Sequence, residues 1–128
     1  MGKKLTWDMV QKENYEPQNV SVTDEDGRPL YTYQAVFRVC SLEENTDITN
    51  KLRDSMDEDG NEDAGIFKES VEAFLVEYRD IPGIPEDMPF EDIMKDMHKD
   101  GRHVAAEWHA FKRIHQRQFE GVKPRKSK

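Results

Sequence analysis

The sequence predicts an α+β domain: an N-terminal arm and a β-hairpin, followed by three or four amphipathic helices. Three observations predict it. Residues 66–78, IFKESVEAFLVEY, carry Phe67, Val71, Phe74, Leu75 and Tyr78 on one broad apolar stripe at helical spacing. Residues 20–39 alternate in the way of strands around an Asp26-Gly27 turn. Two later segments, Pro89–Met97 and Arg102–Phe119, return to the helical period.

The elements follow in chain order. Residues 1–19 hold Leu5, Trp7, Met9, Val10 and Tyr15 without a sustained period, and Pro17 punctuates them. They form an arm, with a short strand or a helical turn at most. Trp7 is unfavourable to leave in water, so the arm is expected to dock on its own domain or on a neighbour. In the second strand Tyr31, Tyr33, Ala35, Phe37 and Val39 share one side and should form the buried face. A lone hairpin is marginal, so it must pack on helices or pair with another chain. Ser41-Leu-Glu-Glu44 has the form of a capping box, and Ile48, Leu52 and Met56 then repeat every four residues. The organising helix is expected over Ala64–Arg79, capped by Asp63 and ended by the Asp80–Pro85 turn. Asp87 is the expected cap of the next helix, which Asp100-Gly101 closes. The last helix carries Val104, Trp108, Phe111 and His115 as its stripe, with Ala105, Ile114 and Phe119 alongside. The domain should span residues 20–120, with 121–128 a basic flexible tail.

The 128 residues suffice for one domain. Charged residues are 36%, apolar residues 35%, and mean hydropathy is -0.96. The core should therefore be modest, or completed by a partner. The net charge of -8 is uneven. Residues 41–100 hold 19 acidic and 6 basic side chains, whereas 101–128 hold 8 basic and 2 acidic. An acidic middle before a basic end allows head-to-tail association, although two solvated faces explain it as well. The single cysteine, Cys40, excludes a disulfide within the chain and is expected to be a small buried hydrophobe in a cytoplasmic protein. No apolar run approaches membrane-spanning length, and MGKKLTWDMV lacks the apolar core of a secretory signal. Gly2 meets only the loose myristoylation pattern, which is common by chance.

No catalytic constellation stands out, and no cofactor is expected. His103 and Glu107 lie one helical turn apart and could chelate a metal, but no HExxH, CxxC or second cluster supports them. The loop Asp57–Gly65 invites a calcium reading. Counted from Asp57, Glu62 stands where the turn glycine belongs and Lys68 where the bidentate glutamate belongs. Counted from Asp59, Ala64 and Ser70 fail at the same two places. A solvated loop is the expectation. Glycine-rich phosphate loops are absent. The basic end could touch nucleic acid, but Trp108 and Phe111 are at core spacing and the acidic middle repels phosphates.

With the second half laid out, residues 67–114 resemble the C-terminal half of tail assembly chaperones of long-tailed bacteriophages. The parts that carry the likeness are Phe74–Tyr78, the turn Asp80–Asp87, the Met88-Pro89-Phe90 helix start, the Asp100-Gly101 break and the final helix Val104–Ile114. Tyr33–Val39, with Arg38 amid apolar residues, would supply the strand that precedes the helices in that family. The resemblance extends over roughly residues 33–119 and is one of element order. The long arm and the Asp57–Gly65 loop depart from the pattern. It implies a non-enzymatic, self-associating protein of the host cytoplasm that coats an apolar helical client, the tape-measure protein, until tube subunits polymerise around it. It also implies a longer frameshifted product. No site residue carries over. The apolar faces themselves supply candidates for a client surface: Tyr31 and Tyr33 on the hairpin, and Trp108, Phe111 and Phe119 on the last helix. The alternatives are a small acidic inhibitor of a host nucleic-acid enzyme, acting for instance as a DNA mimic, and a metal-dependent enzyme.

Overall fold

The structure, a computed structural model, describes Gly2 and residues 4–120. The expected tail at 121–128 lies outside the described residues. Eight elements follow one another: α1 Trp7–Val10, β1 Gln18–Thr23, β2 Pro29–Phe37, α2 Leu42–Ser55, α3 Ala64–Phe74, β3 Leu75–Arg79, α4 Phe90–Met97 and α5 Gly101–Gln118. The class is α+β. The three strands form one antiparallel sheet in the order β1-β2-β3.

The hairpin forms as its turn chemistry requires. Asp24 Oδ1 accepts from the backbone N–H of Asp26 and of Arg28, each at 2.9 Å, and Gly27 takes the left-handed φ of 79°. The same four residues, Asp-Glu-Asp-Gly, recur at 57–60 with the same solution. Asp57 Oδ1 accepts from Asp59 and Asn61, and Gly60 has φ 81°. Both acidic loops thus use their leading carboxylate to bind their own backbone.

Tyr33, Ala35 and Phe37 face the core, as the alternation predicts. Tyr31 does not; next to the hairpin turn it stays 45% exposed. Val39 lies beyond the strand and is only partly covered. The organising helix departs most from expectation. It ends at Phe74, and Leu75–Arg79 continue as β3, pairing Ala35 with Tyr78 and Phe37 with Leu75. One apolar stripe is thereby divided between two elements that face the same core. The reason is tertiary: β2 offers a free row of backbone groups, and Leu-Val-Glu-Tyr suits a pleated edge as well as a helical turn.

The core lies between the sheet and helices α3 and α5. Phe111 stands at its centre, fully buried, with Phe37 at 5.5 Å and Phe74 stacked at 5.1 Å between ring centroids. Phe67 of α3 stacks on Trp108 of α5 at 4.7 Å. Three departures concern the helix ends. Asp100 opens α5 by accepting from Arg102 N–H, rather than closing α4. Pro89, not Asp87, stands at the start of α4, with no side-chain cap. Met56 falls just past the end of α2 and is exposed.

Arg38 ties three elements together at the end of β2. Its guanidinium meets Glu44 through two bonds, at 3.1 and 2.7 Å, and lies 4.2 Å from the centre of the Phe74 ring. Its Nε donates to Ala73 C=O. Glu44 also closes the capping box with Ser41. The Arg38 hydrogen bond, with help from Ser41 N–H, holds the Glu44 carboxyl at about 2. Chain beyond the expected boundary also belongs to the domain. Tyr15 N–H donates to Phe37 C=O and Val39 N–H to Glu13 C=O, so the arm is rooted at 13–15.

Candidate functional site

Two features of the described residues bear on function. The first is a buried polar network. Glu107 is fully buried, on the core face of α5 between Val104 and Trp108. Its Oε2 accepts from Tyr33 OH at 2.5 Å, and its Oε1 from Tyr78 OH at 2.9 Å and from His98 Nε2 at 2.8 Å. His98 Nδ1 bonds Glu72 at 2.8 Å, so both ring nitrogens face carboxylates. Burial of His98 opposes its charged form, but the bonds to Glu107 and Glu72 outweigh burial and raise its pKa. Burial and the Glu107 charge raise both phenols far above the ordinary tyrosine value.

This arrangement suits cohesion rather than catalysis. With both nitrogens donating, His98 has no lone pair to take a proton or hold a metal. Glu107, with its three donors, has no exposed atom to offer a substrate. His103, the expected chelating partner of Glu107, instead bonds Met97 C=O through Nδ1 at 2.8 Å and Tyr31 OH through Nε2. Among the described residues no group of three or more His, Cys, Asp or Glu could hold a metal ion. Cys40 is buried, its Sγ facing Ser41 C=O at 3.4 Å, and burial pushes its thiol up to about 11. It is not an activated nucleophile.

The second is a groove between α2 and α5, with a cavity of about 290 Å³. Ile48 and Leu52 form one wall; Trp108, Phe111, His115 and Phe119 form the other. The groove's floor is closed by a hydrogen bond between His115 Nε2 and Asn45 Oδ1. That bond leaves His115 Nδ1 without a hydrogen-bond partner, and burial lowers the histidine's pKa. α2 presents more apolar surface than the groove uses. Leu42, Asn45, Thr49, Leu52 and Met56 follow one another at spacings of three, four, three and four. This seam has the spacing that packing helices use, with Asn45 already buried against α5 and Met56 just past the helix end. Leu42 and Met56, at its two ends, are exposed.

The five candidate client residues divide accordingly. Tyr33, Trp108 and Phe111 are core residues and offer a partner almost no area, which corrects the expectation at those positions. Tyr31 remains at the surface beside His103, and Phe119 is partly buried at the end of the groove. The sheet and α5 therefore consume the stripes that looked surplus. What stays uncovered lies elsewhere: Leu42 and Met56 at the two ends of α2, Leu30 and Val76 on the sheet, and Leu5, Trp7, Met9 and Val10 of the arm. Of the basic end, Arg102 is tied to Asp100 and Arg113 to Asn19 C=O. No helix among the described residues is long and apolar enough to cross a membrane.

Sequence reasoning missed the network and the seam. Both left signals. A glutamate at 107 sits inside the stripe of Val104, Trp108 and Phe111, and a buried acid must find donors. The three-four spacing from Leu42 to Met56 was legible, but Asn45 and Thr49 disguise it. No family model, no curated protein and no solved structure matches this chain.

Proposed function

We propose that this protein is a non-enzymatic binder of an amphipathic helix, received between α2 and α5. The observation that carries the reading is the α2 seam. Its exposed ends, Leu42 and Met56, extend an apolar lane past both ends of a groove already lined by Trp108 and Phe119. α2 is about 21 Å long. A client helix of similar length would pair with it by side-chain interdigitation and reach Phe119 at the end of α5. The acidic exterior keeps such a complex soluble. This is the chemistry required of a tail assembly chaperone, whose client, the tape-measure protein, is apolar and helical. A self-associating protein is the corollary of that reading.

The test is a titration. Trp7→Phe leaves Trp108 as the only indole, at the groove wall. An amphipathic peptide of the length of α2, 14 residues, taken from a phage tape-measure protein should shift Trp108 emission and saturate. Thr49→Arg places a charge in the seam at an exposed position. It should weaken binding at least tenfold without altering the circular dichroism spectrum. Equal binding by the arginine variant would rule out the seam as the site. No response to any tape-measure segment, alongside inhibition of a host nucleic-acid enzyme, would replace the chaperone reading with the acidic-inhibitor one.

A further inference from the structure

Among the described residues the arm carries the most exposed large apolar side chains: Leu5 is 75% exposed and Trp7 70%, with Met9 and Val10 about half exposed. They surround a single helical turn, α1, held by Thr6 accepting from Met9 N–H, and none of its residues is buried. The arm's root lies close to the groove. Glu13–Tyr15 pair with Phe37–Val39, and the adjacent Cys40 C=O accepts from Gln118 Nε2 of α5 at 2.5 Å. Phe119, the next residue, lines the groove. Residues 5–10 stand three to eight positions before Glu13, which gives a reach of roughly 10–28 Å.

We propose that the arm of a second copy of this chain occupies the α2–α5 groove, and that two copies exchange arms reciprocally in a closed dimer. The proposal rests on the reading of that groove as a helix-binding site. The arm is already a helical turn with apolar side chains, the occupant that the groove and seam fit. Charge agrees in sign. Residues 1–12 hold three lysines against one acid, whereas α2 and the loop after it, residues 42–63, hold nine acids against two bases. The arm's one acid, Asp8, has Lys112 of the α5 wall as an opposite charge. Because each arm is rooted beside its own groove, one twofold rotation brings each arm to the other groove and leaves none unfilled. The dimer is then the resting state. A client helix displaces the arms, which gives self-association and client binding one shared surface.

Sedimentation velocity of the full chain over a concentration series tests this. The expected result is a monomer–dimer equilibrium that weakens with added salt. Trp7→Ala should raise the dissociation constant at least tenfold with an unchanged circular dichroism spectrum, since Trp7 supports nothing within its own chain. A Met9→Cys, Thr49→Cys double variant treated with a bis-maleimide should yield a covalent dimer. A monomer at every concentration, or a dimer that survives Trp7→Ala, would overturn the proposal. So would crosslinking confined to the monomer, which would place the arm in its own groove. The helix-binding reading is judged separately. If Trp7→Ala leaves the mass unchanged but peptide still shifts Trp108 emission, the arm exchange fails and the groove's function stands.

Discussion

At the scale of single residues, the molecule turns on Glu107. An acid inside an apolar stripe would destabilise the fold if left alone, by several kcal/mol. Here Tyr33 from β2, Tyr78 from β3 and His98 from the segment between α4 and α5 converge on it. Each donor comes from a different element, so the network fixes how the sheet sits on α5. It also makes stability depend on pH. His98 has a raised folded-state pKa, so its contribution is complete below the unfolded value, about 6.5, and is lost as pH rises through the folded value. Each unit of separation between those values corresponds to about 1.4 kcal/mol. The groups facing His98 are Glu107, Glu72 and Tyr78, with Lys68 3.8 Å from Glu72. Thermal melts should therefore show a falling midpoint as pH is raised above about 6.5. His98→Gln should be less stable at pH 6 and should lose most of that slope. A slope unchanged in His98→Gln would assign the pH dependence to other groups. The two tyrosines act in a separate window. Their raised pKa values remove stability only when the unfolded phenols ionise, above about pH 10.

At the scale of elements, the stretch Ile66–Tyr78 shows what periodicity can and cannot decide. Its apolar positions were legible, and all of them face the core or its edge. Its conformation was not, because a stripe at 67, 71, 74, 75 and 78 satisfies a helix throughout, yet also a helix followed by a strand. The deciding partner is β2, 40 residues earlier, whose free edge no local pattern announces. α2 was more legible, since the Ser41–Glu44 capping box is a local device and forms as written. Its seam was hidden because Asn45 and Thr49 are polar. The exit from β3 yields a prediction. Asp80 sits at φ 63°, a left-handed conformation that suits glycine and is tolerated by aspartate. Asp80→Gly should change stability by less than about 0.5 kcal/mol, whereas Asp80→Val should lose about 1–2 kcal/mol. Urea denaturation of the pair decides it. Equal stability of the two variants would mean that the turn does not hold β3 in place.

At the scale of the whole molecule, the arm and the domain meet at a sharper boundary than composition indicates. Position 20 looked like the start because alternation begins there. Yet Glu13–Tyr15 already bond to Phe37–Val39, and Tyr15 packs against the core. Burial pushes its phenol up to about 12. Residues before 12 contribute no buried side chain among those described, since Leu5 through Gln11 all stay exposed. Two truncations separate these regions. Removing residues 2–11 should leave the monomer's stability within about 0.5 kcal/mol, because every described residue among them is exposed. Removing residues 2–16 takes away the two backbone hydrogen bonds and the buried part of Tyr15, and should destabilise by about 2–4 kcal/mol. Both are measured on monomer, at low concentration, so that arm exchange does not contribute. If the shorter truncation is the destabilising one, the arm is part of the fold, and its exposed tryptophan must be covered within a single chain. If only the longer one is, the first eleven residues are maintained for a contact that the isolated protomer does not make.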